Sequence, residues 1–64
     1  MNTRLRELRK ARGLTQVDLA VKTGIHRVTI ARYDEGRRGM SLKNAAKIAD
    51  ALGCTINELV REEA

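Results

Sequence analysis

The chain has 64 residues, one cysteine, one aromatic side chain (Tyr33) and a formal net charge of +5. A chain this short buries only about 60% of the surface its unfolded form exposes, so one small domain over residues 1–64 is expected, with an aliphatic core and no deep catalytic pocket. A pI near 10.2 lies in the range of nucleic-acid binders, a lone Cys54 excludes a disulfide or a cysteine zinc cluster, and no apolar run approaches the roughly 20 residues of a membrane span.

Alanine and leucine supply fifteen residues and proline none, which favours helix. The first helix is expected from about residue 2 or 3 to Arg12, with Leu5 and Leu8 inward, and Gly13 follows as the residue after a C-cap. Thr15 then caps a second helix, and Asp18, three residues on, gives that first turn a carboxylate in a variant of the capping box. Gly24 stops it. The third helix runs from His26 or Arg27 to Glu35, with Gly36 ending it and the basic loop Arg37-Arg38-Gly39 beyond. Ser41 caps a fourth helix over residues 42–52, whose apolar set is read as Leu42, Ala45, Ala46, Ala49 and Leu52, a helical stripe stopped by Gly53. Thr55 with Glu58 forms a full capping box for the last helix, with Ile56, Leu59 and Val60 facing in. The expected fold class is all-α, with five helices.

Residues 14–36 carry the most information. They read as two short helices around a Gly24 turn, with Ala20 small where the helices cross and Leu19, Ile25, Ile30 and Tyr33 apolar where they pack inward. Two helices joined by a short glycine-containing turn form the unit that lays its second helix in the DNA major groove. Charge is distributed to match. Residues 1–12 carry Arg4, Arg6, Arg9, Lys10 and Arg12 against Glu7, residues 27–38 carry Arg27, Arg32, Arg37 and Arg38 against Asp34 and Glu35, and residues 39–64 are slightly acidic. A field oriented in this way steers a molecule toward a polyanion, although a basic surface also serves solubility.

With these residues in place, the chain resembles the lambda-repressor-like, Cro-type helix-turn-helix family, also called the XRE family. The similarity covers essentially the whole sequence and is specific where Gln16, Ala20, Gly24 and Ile25 occur together. The resemblance implies a compact five-helix DNA-binding domain in which helices 2 and 3 form the helix-turn-helix. It also implies roles for individual residues. Arg27, Val28 and Arg32 match the positions that meet base edges, while Gln16, His26, Arg37, Arg38 and Ser41 form the phosphate-holding set. Arg9 matches a first-helix arginine that pairs with an acid at the end of the third helix, here Asp34. Three departures stand out. His26 replaces the usual serine or threonine cap and is a poorer one; Asp34 replaces glutamate, so a longer or water-bridged pair with Arg9 is expected; and Met40 replaces proline, so the loop of residues 37–39 is expected to be less restrained.

Each position also has a plainer reading. Helical arginines often only keep a surface wet, Gln16 is a good helix former, and Val28 is either a thymine-methyl contact or a tolerated surface apolar residue. Tyr33 and Cys54 are read as core. His26 beside one distant cysteine makes no metal site, and no catalytic constellation is found, so neither an enzyme, a cofactor nor a small-molecule ligand is expected. The polar N-terminus lacks a signal-peptide core, so a cytoplasmic protein with no membrane association is expected. The resulting expectation is a transcriptional regulator, by default a repressor, binding double-stranded DNA as a homodimer at a near-palindromic operator. The alternative is a protein acting through a partner, as an antitoxin with its toxin or a subunit of a larger regulator; the ending at Glu62, Glu63 and Ala64 offers such a partner little.

Overall fold

Every helix after the first begins at a residue whose side chain accepts a backbone N–H from its own first turn. The computed structural model describes residues 2–61, in the order β1 (Asn2–Thr3), α1 (Leu5–Ala11), α2 (Gln16–Thr23), α3 (Arg27–Asp34), α4 (Leu42–Leu52), α5 (Ile56–Leu59) and β2 (Val60–Arg61). Thr15 and Thr55 form complete capping boxes: each hydroxyl accepts the N–H of Asp18 or Glu58, at 3.0 and 3.1 Å, and each acid accepts the N–H of its threonine in return. Ser41 Oγ accepts from the Asn44 N–H at 3.2 Å. Such caps satisfy backbone donors that the helix itself leaves without partners. Met1 and residues 62–64, which the sequence reading includes in the domain, lie outside the described residues.

Among the described residues the fold is all-α with five helices, and its core is aliphatic apart from Tyr33. Leu5, Leu19, Ile30, Ile48 and Leu59, one from each helix, are fully buried, and Leu8, Ile25, Tyr33, Met40, Ala45, Ala49 and Leu52 complete the cluster. Cys54 packs partly buried against this cluster, and burial, with Glu58 nearby, pushes its thiol up from the ordinary value. At the far end of α1, the Arg12 guanidinium donates to the Leu52 carbonyl at the C-terminus of α4, satisfying an acceptor that the helix leaves open.

Three expectations are corrected here. The first helix starts at Leu5, because residues 2–3 pair antiparallel with Val60 and Arg61 and the Arg4 N–H donates to the Leu59 carbonyl at 2.7 Å. Val60 therefore belongs to a strand, its backbone committed to this short ladder. On α4 the buried stripe is Ala45, Ile48, Ala49 and Leu52, at i, i+3, i+4 and i+7. Ile48, absent from the expected set, centres that stripe, and Leu42 and Ala46 are rotated out of it and exposed. Met40, at the end of the 37–39 loop, is buried and joins the core.

Candidate nucleic-acid interface

The joint between α2 and α3 is built from short-range bonds. Gly24 adopts the left-handed conformation (φ +73°), which a side chain would strain, and its N–H donates to the Ala20 carbonyl. Thr23 Oγ1 donates back to the Leu19 carbonyl at 2.8 Å and accepts the Ile25 N–H at 3.2 Å, while Ile25 itself is buried. Ala20 packs partly buried against the core where the two helices meet. Next, His26 caps α3: its Nδ1 accepts the Val28 N–H at 3.1 Å. An acceptor Nδ1 places the neutral ring's proton on Nε2, so this exposed residue keeps a donor to offer a ligand.

Helix α3 has two sharply different faces. Ile30, Tyr33 and Asp34 point inward at i, i+3 and i+4, and Arg27, Val28 and Arg32 point outward. Tyr33 is anchored by its hydroxyl, which accepts from Asn44 Nδ2 of α4 at 2.9 Å. Asp34 is the polar centre of the inner face. Arg9 meets it with two parallel bonds, Nε to Oδ1 at 2.9 Å and Nη2 to Oδ2 at 3.1 Å, and a third Arg9 nitrogen donates to the Leu14 carbonyl at 2.8 Å. The pair is direct, neither lengthened nor water-bridged, despite the shorter acid. Oδ2 also accepts from Arg6 Nε at 3.0 Å and from Gln16 Nε2 at 3.1 Å. Burial alone would raise the Asp34 pKa, but the hydrogen bonds from Arg9, then Gln16 and Arg6, outweigh it and hold the carboxyl below its ordinary value. One carboxylate thus ties α1, α2 and α3 together.

On the outer side, Gln16 and Val17 of α2 face Arg27, Val28 and Ala31 of α3 across a groove of about 260 Å³. Val28 is 46% exposed and Val17 52%, so the groove presents apolar surface between a glutamine and an arginine. Arg32 lies four residues beyond Val28 on the same face. At the end of α3 the Gly36 and Arg37 N–H groups bond back to the Tyr33 and Arg32 carbonyls at 3.1 and 2.9 Å, fixing where the basic loop leaves the helix. Arg37 Nε lies 3.2 Å from a Glu35 carboxylate oxygen, both side chains exposed, and Arg38 is exposed beside it. Ser41, also exposed, heads α4.

Of the residues singled out in the sequence, Gln16, Arg27 and Val28 therefore share one groove, and Arg32 extends the same face. His26 lies at its N-terminal edge, and Arg37 follows from the far end of α3. Sequence reasoning missed Val17 and Ala31 as groove walls, and it missed Arg6 and Gln16 as ligands of Asp34. For Arg6 a signal existed: it precedes Arg9 by three residues, which places both on one side of α1.

Comparison with known proteins adds a consistent picture. The family model described as "Helix-turn-helix" matches residues 5–59. Over 59 residues the chain is 42% identical to an uncharacterized HTH-type transcriptional regulator of Archaeoglobus fulgidus, covering 92% of this chain and 84% of that protein. It is 38% identical over 60 residues to the immunity repressor protein of Bacillus phage phi105, covering 94% of this chain but 42% of the phage protein. Among solved structures, the restriction-modification controller protein C.AhdI from Aeromonas hydrophila matches with a TM-score of 0.85 at 44% identity, covering 89% of this chain and 86% of that one.

Proposed function

The chain belongs to the helix-turn-helix family of DNA-binding transcriptional regulators, and from that premise we propose that it is a cytoplasmic repressor that reads the major groove with α3 as a homodimer. The observation that carries this reading is the division of α3. Its inner face is locked to α1 and α2 through Asp34, so its outer face is held rigidly, and that outer face offers Arg27, Val28 and Arg32. Arginine has a planar fork suited to guanine O6 and N7, and valine suits a thymine methyl. Gln16, His26, Arg37, Arg38 and Ser41 surround this face as phosphate holders, fixing register without reading sequence.

The size of the chain supports dimerisation. The described body is 32 Å along its longest axis, and α3 spans eight residues, about 12 Å at 1.5 Å per residue. One α3 therefore suits one half-site, and on a two-half-site operator with centres roughly 34–36 Å apart a second copy related by two-fold symmetry takes the other. A near-palindromic operator is the DNA counterpart of that symmetry, and occupying it blocks polymerase. The phage immunity repressor among the relatives supports the choice of repression.

Selection of binding sites from a random duplex library tests the reading, with wild type run beside three variants. Arg27→Ala or Arg32→Ala should cost about 1–3 kcal/mol on the preferred site and relax preference at one operator position. Arg38→Ala should weaken binding to all sequences alike. If Arg38→Ala altered the selected sequence while both helix variants preserved it, α3 would not be the reading element.

A further inference from the structure

We propose that Arg6, on α1, is a further phosphate-holding residue, positioned by Asp34 beside Gln16. The inference rests on the DNA-binding reading above and adds a contact from a helix to which that reading assigns none. Arg6 and Arg9 share the same carboxylate, but they are used differently. The Arg9 side chain is 11% exposed and commits three nitrogens to Asp34 and Leu14. The Arg6 side chain is 52% exposed and commits only Nε, so both terminal amino groups are without a partner among the described residues. The Nε bond fixes the plane of the guanidinium, and the two amino groups form the side of the fork suited to a phosphate.

Charge and position agree with this use. Arg9 already neutralises Asp34, so the Arg6 charge is surplus to the ion pair. Arg6 Nε and Gln16 Nε2 bond to the same oxygen at 3.0 and 3.1 Å, so they stand no further apart than the sum of those bonds, about 6 Å. Gln16 in turn lines the groove with Arg27 and Val28. Arg6 is therefore linked through Gln16 to the outer face of α3.

The test is a salt titration of affinity for a random-sequence duplex pool, the right probe for a contact that carries no sequence information. For wild type, log affinity should fall linearly with log salt. Arg6→Gln should shallow that slope by about 0.9 for each protomer, which amounts to roughly eightfold weaker binding per protomer over each tenfold dilution of salt. Arg6→Lys keeps the charge and should keep the wild-type slope. Thermal melting points of both variants should stay near wild type, because Arg9 and Gln16 remain on Asp34. A wild-type slope in Arg6→Gln would overturn the inference while leaving the DNA reading intact. So would an Arg6→Lys slope as shallow as that of Arg6→Gln, since the loss would then not follow the charge. Salt-independent wild-type binding would instead remove the DNA reading itself, and this inference with it.

Discussion

Asp34 and Glu35 are consecutive acids at the end of α3, and each faces an arginine, yet the two pairs lie in opposite physical regimes. The Asp34 side chain is fully buried and receives four hydrogen bonds from three side chains on two other helices. Glu35 is 42% exposed and lies 3.2 Å from an Arg37 that is itself 77% exposed. Water competes for the outer pair at every moment, and long side chains lose freedom to hold it, so it contributes little. The inner pair has lost its water and depends on its partners to compensate. The contrast separates the two tasks of this helix. Its inner acid holds the scaffold that presents α3, while its outer acid only modulates charge near the proposed DNA surface.

Removing one member of the buried pair should produce the largest effect. Arg9→Ala deletes three donors at once, taking two of the four hydrogen bonds from Asp34, including the one to Oδ1, and one from the Leu14 carbonyl. Breaking a buried pair in this way costs about 3–5 kcal/mol, and a domain of this size has a total stability of only about 5 kcal/mol or a little more. Urea denaturation should find Arg9→Ala largely unfolded or close to it, whereas Arg37→Ala should melt within about 0.5 kcal/mol of wild type. Equal losses from the two substitutions would erase the distinction between the inner and outer pairs.

The inner pair should also give stability a dependence on acid. The Asp34 carboxyl is held below its ordinary value of 3.8, so folding favours its ionised form. Its stabilising contribution is then complete above the ordinary value and is lost as pH falls through the lower, folded value. Wild type should hold a steady melting temperature down to about pH 5 and then lose stability progressively as pH falls further. Asp34→Asn keeps the shape but exchanges an acceptor oxygen for a donor facing Arg6, Arg9 and Gln16, so it should be less stable at neutral pH and flatter in acid. Asp18 and Glu58, held low by the backbone N–H groups of Thr15 and Thr55, remain to give that variant a smaller acid slope. An acid limb as steep in Asp34→Asn as in wild type would show that Asp34 is not the group responsible.

What the sequence disclosed in advance follows the range of the interaction. The capping boxes at Thr15 and Thr55 and the left-handed Gly24 depend on residues within three or four positions, and all were legible. So was the outward placement of Arg27, Val28 and Arg32, because the apolar Ile30 and Tyr33 set the phase of α3. The phase of α4 was harder. Alanines at 45, 46 and 49 are compatible with more than one stripe, and only packing shows that Ile48 lies inward and Leu42 outward. Burial of Met40, the pairing of residues 2–3 with 60–61 and the Arg12 bond to Leu52 join distant segments that leave no local pattern. The convergence of Arg6 and Gln16 on Asp34 is of the same kind. Sequence could suggest one arginine for that acid, but the number of donors reaching a buried oxygen is decided by three helices at once.

The smallest expected effect sharpens the comparison from the outer side. Glu35→Gln removes a charge that is exposed and holds no buried partner, so stability should remain within about 0.5 kcal/mol of wild type. Binding should change in the opposite sense to the arginine substitutions. With its carboxylate gone, Glu35 no longer competes with phosphate for Arg37, and one negative charge leaves the neighbourhood of the proposed interface. Affinity for every duplex should then rise alike, by about 1 kcal/mol or less at low ionic strength, and the gain should shrink as salt screens it. Parallel titrations of wild type and Glu35→Gln on selected and random duplexes would measure this. A gain confined to the selected duplex would mean that Glu35 touches a base edge, and weaker binding would mean that its pair with Arg37 orders the loop for the phosphate instead of withholding the arginine from it.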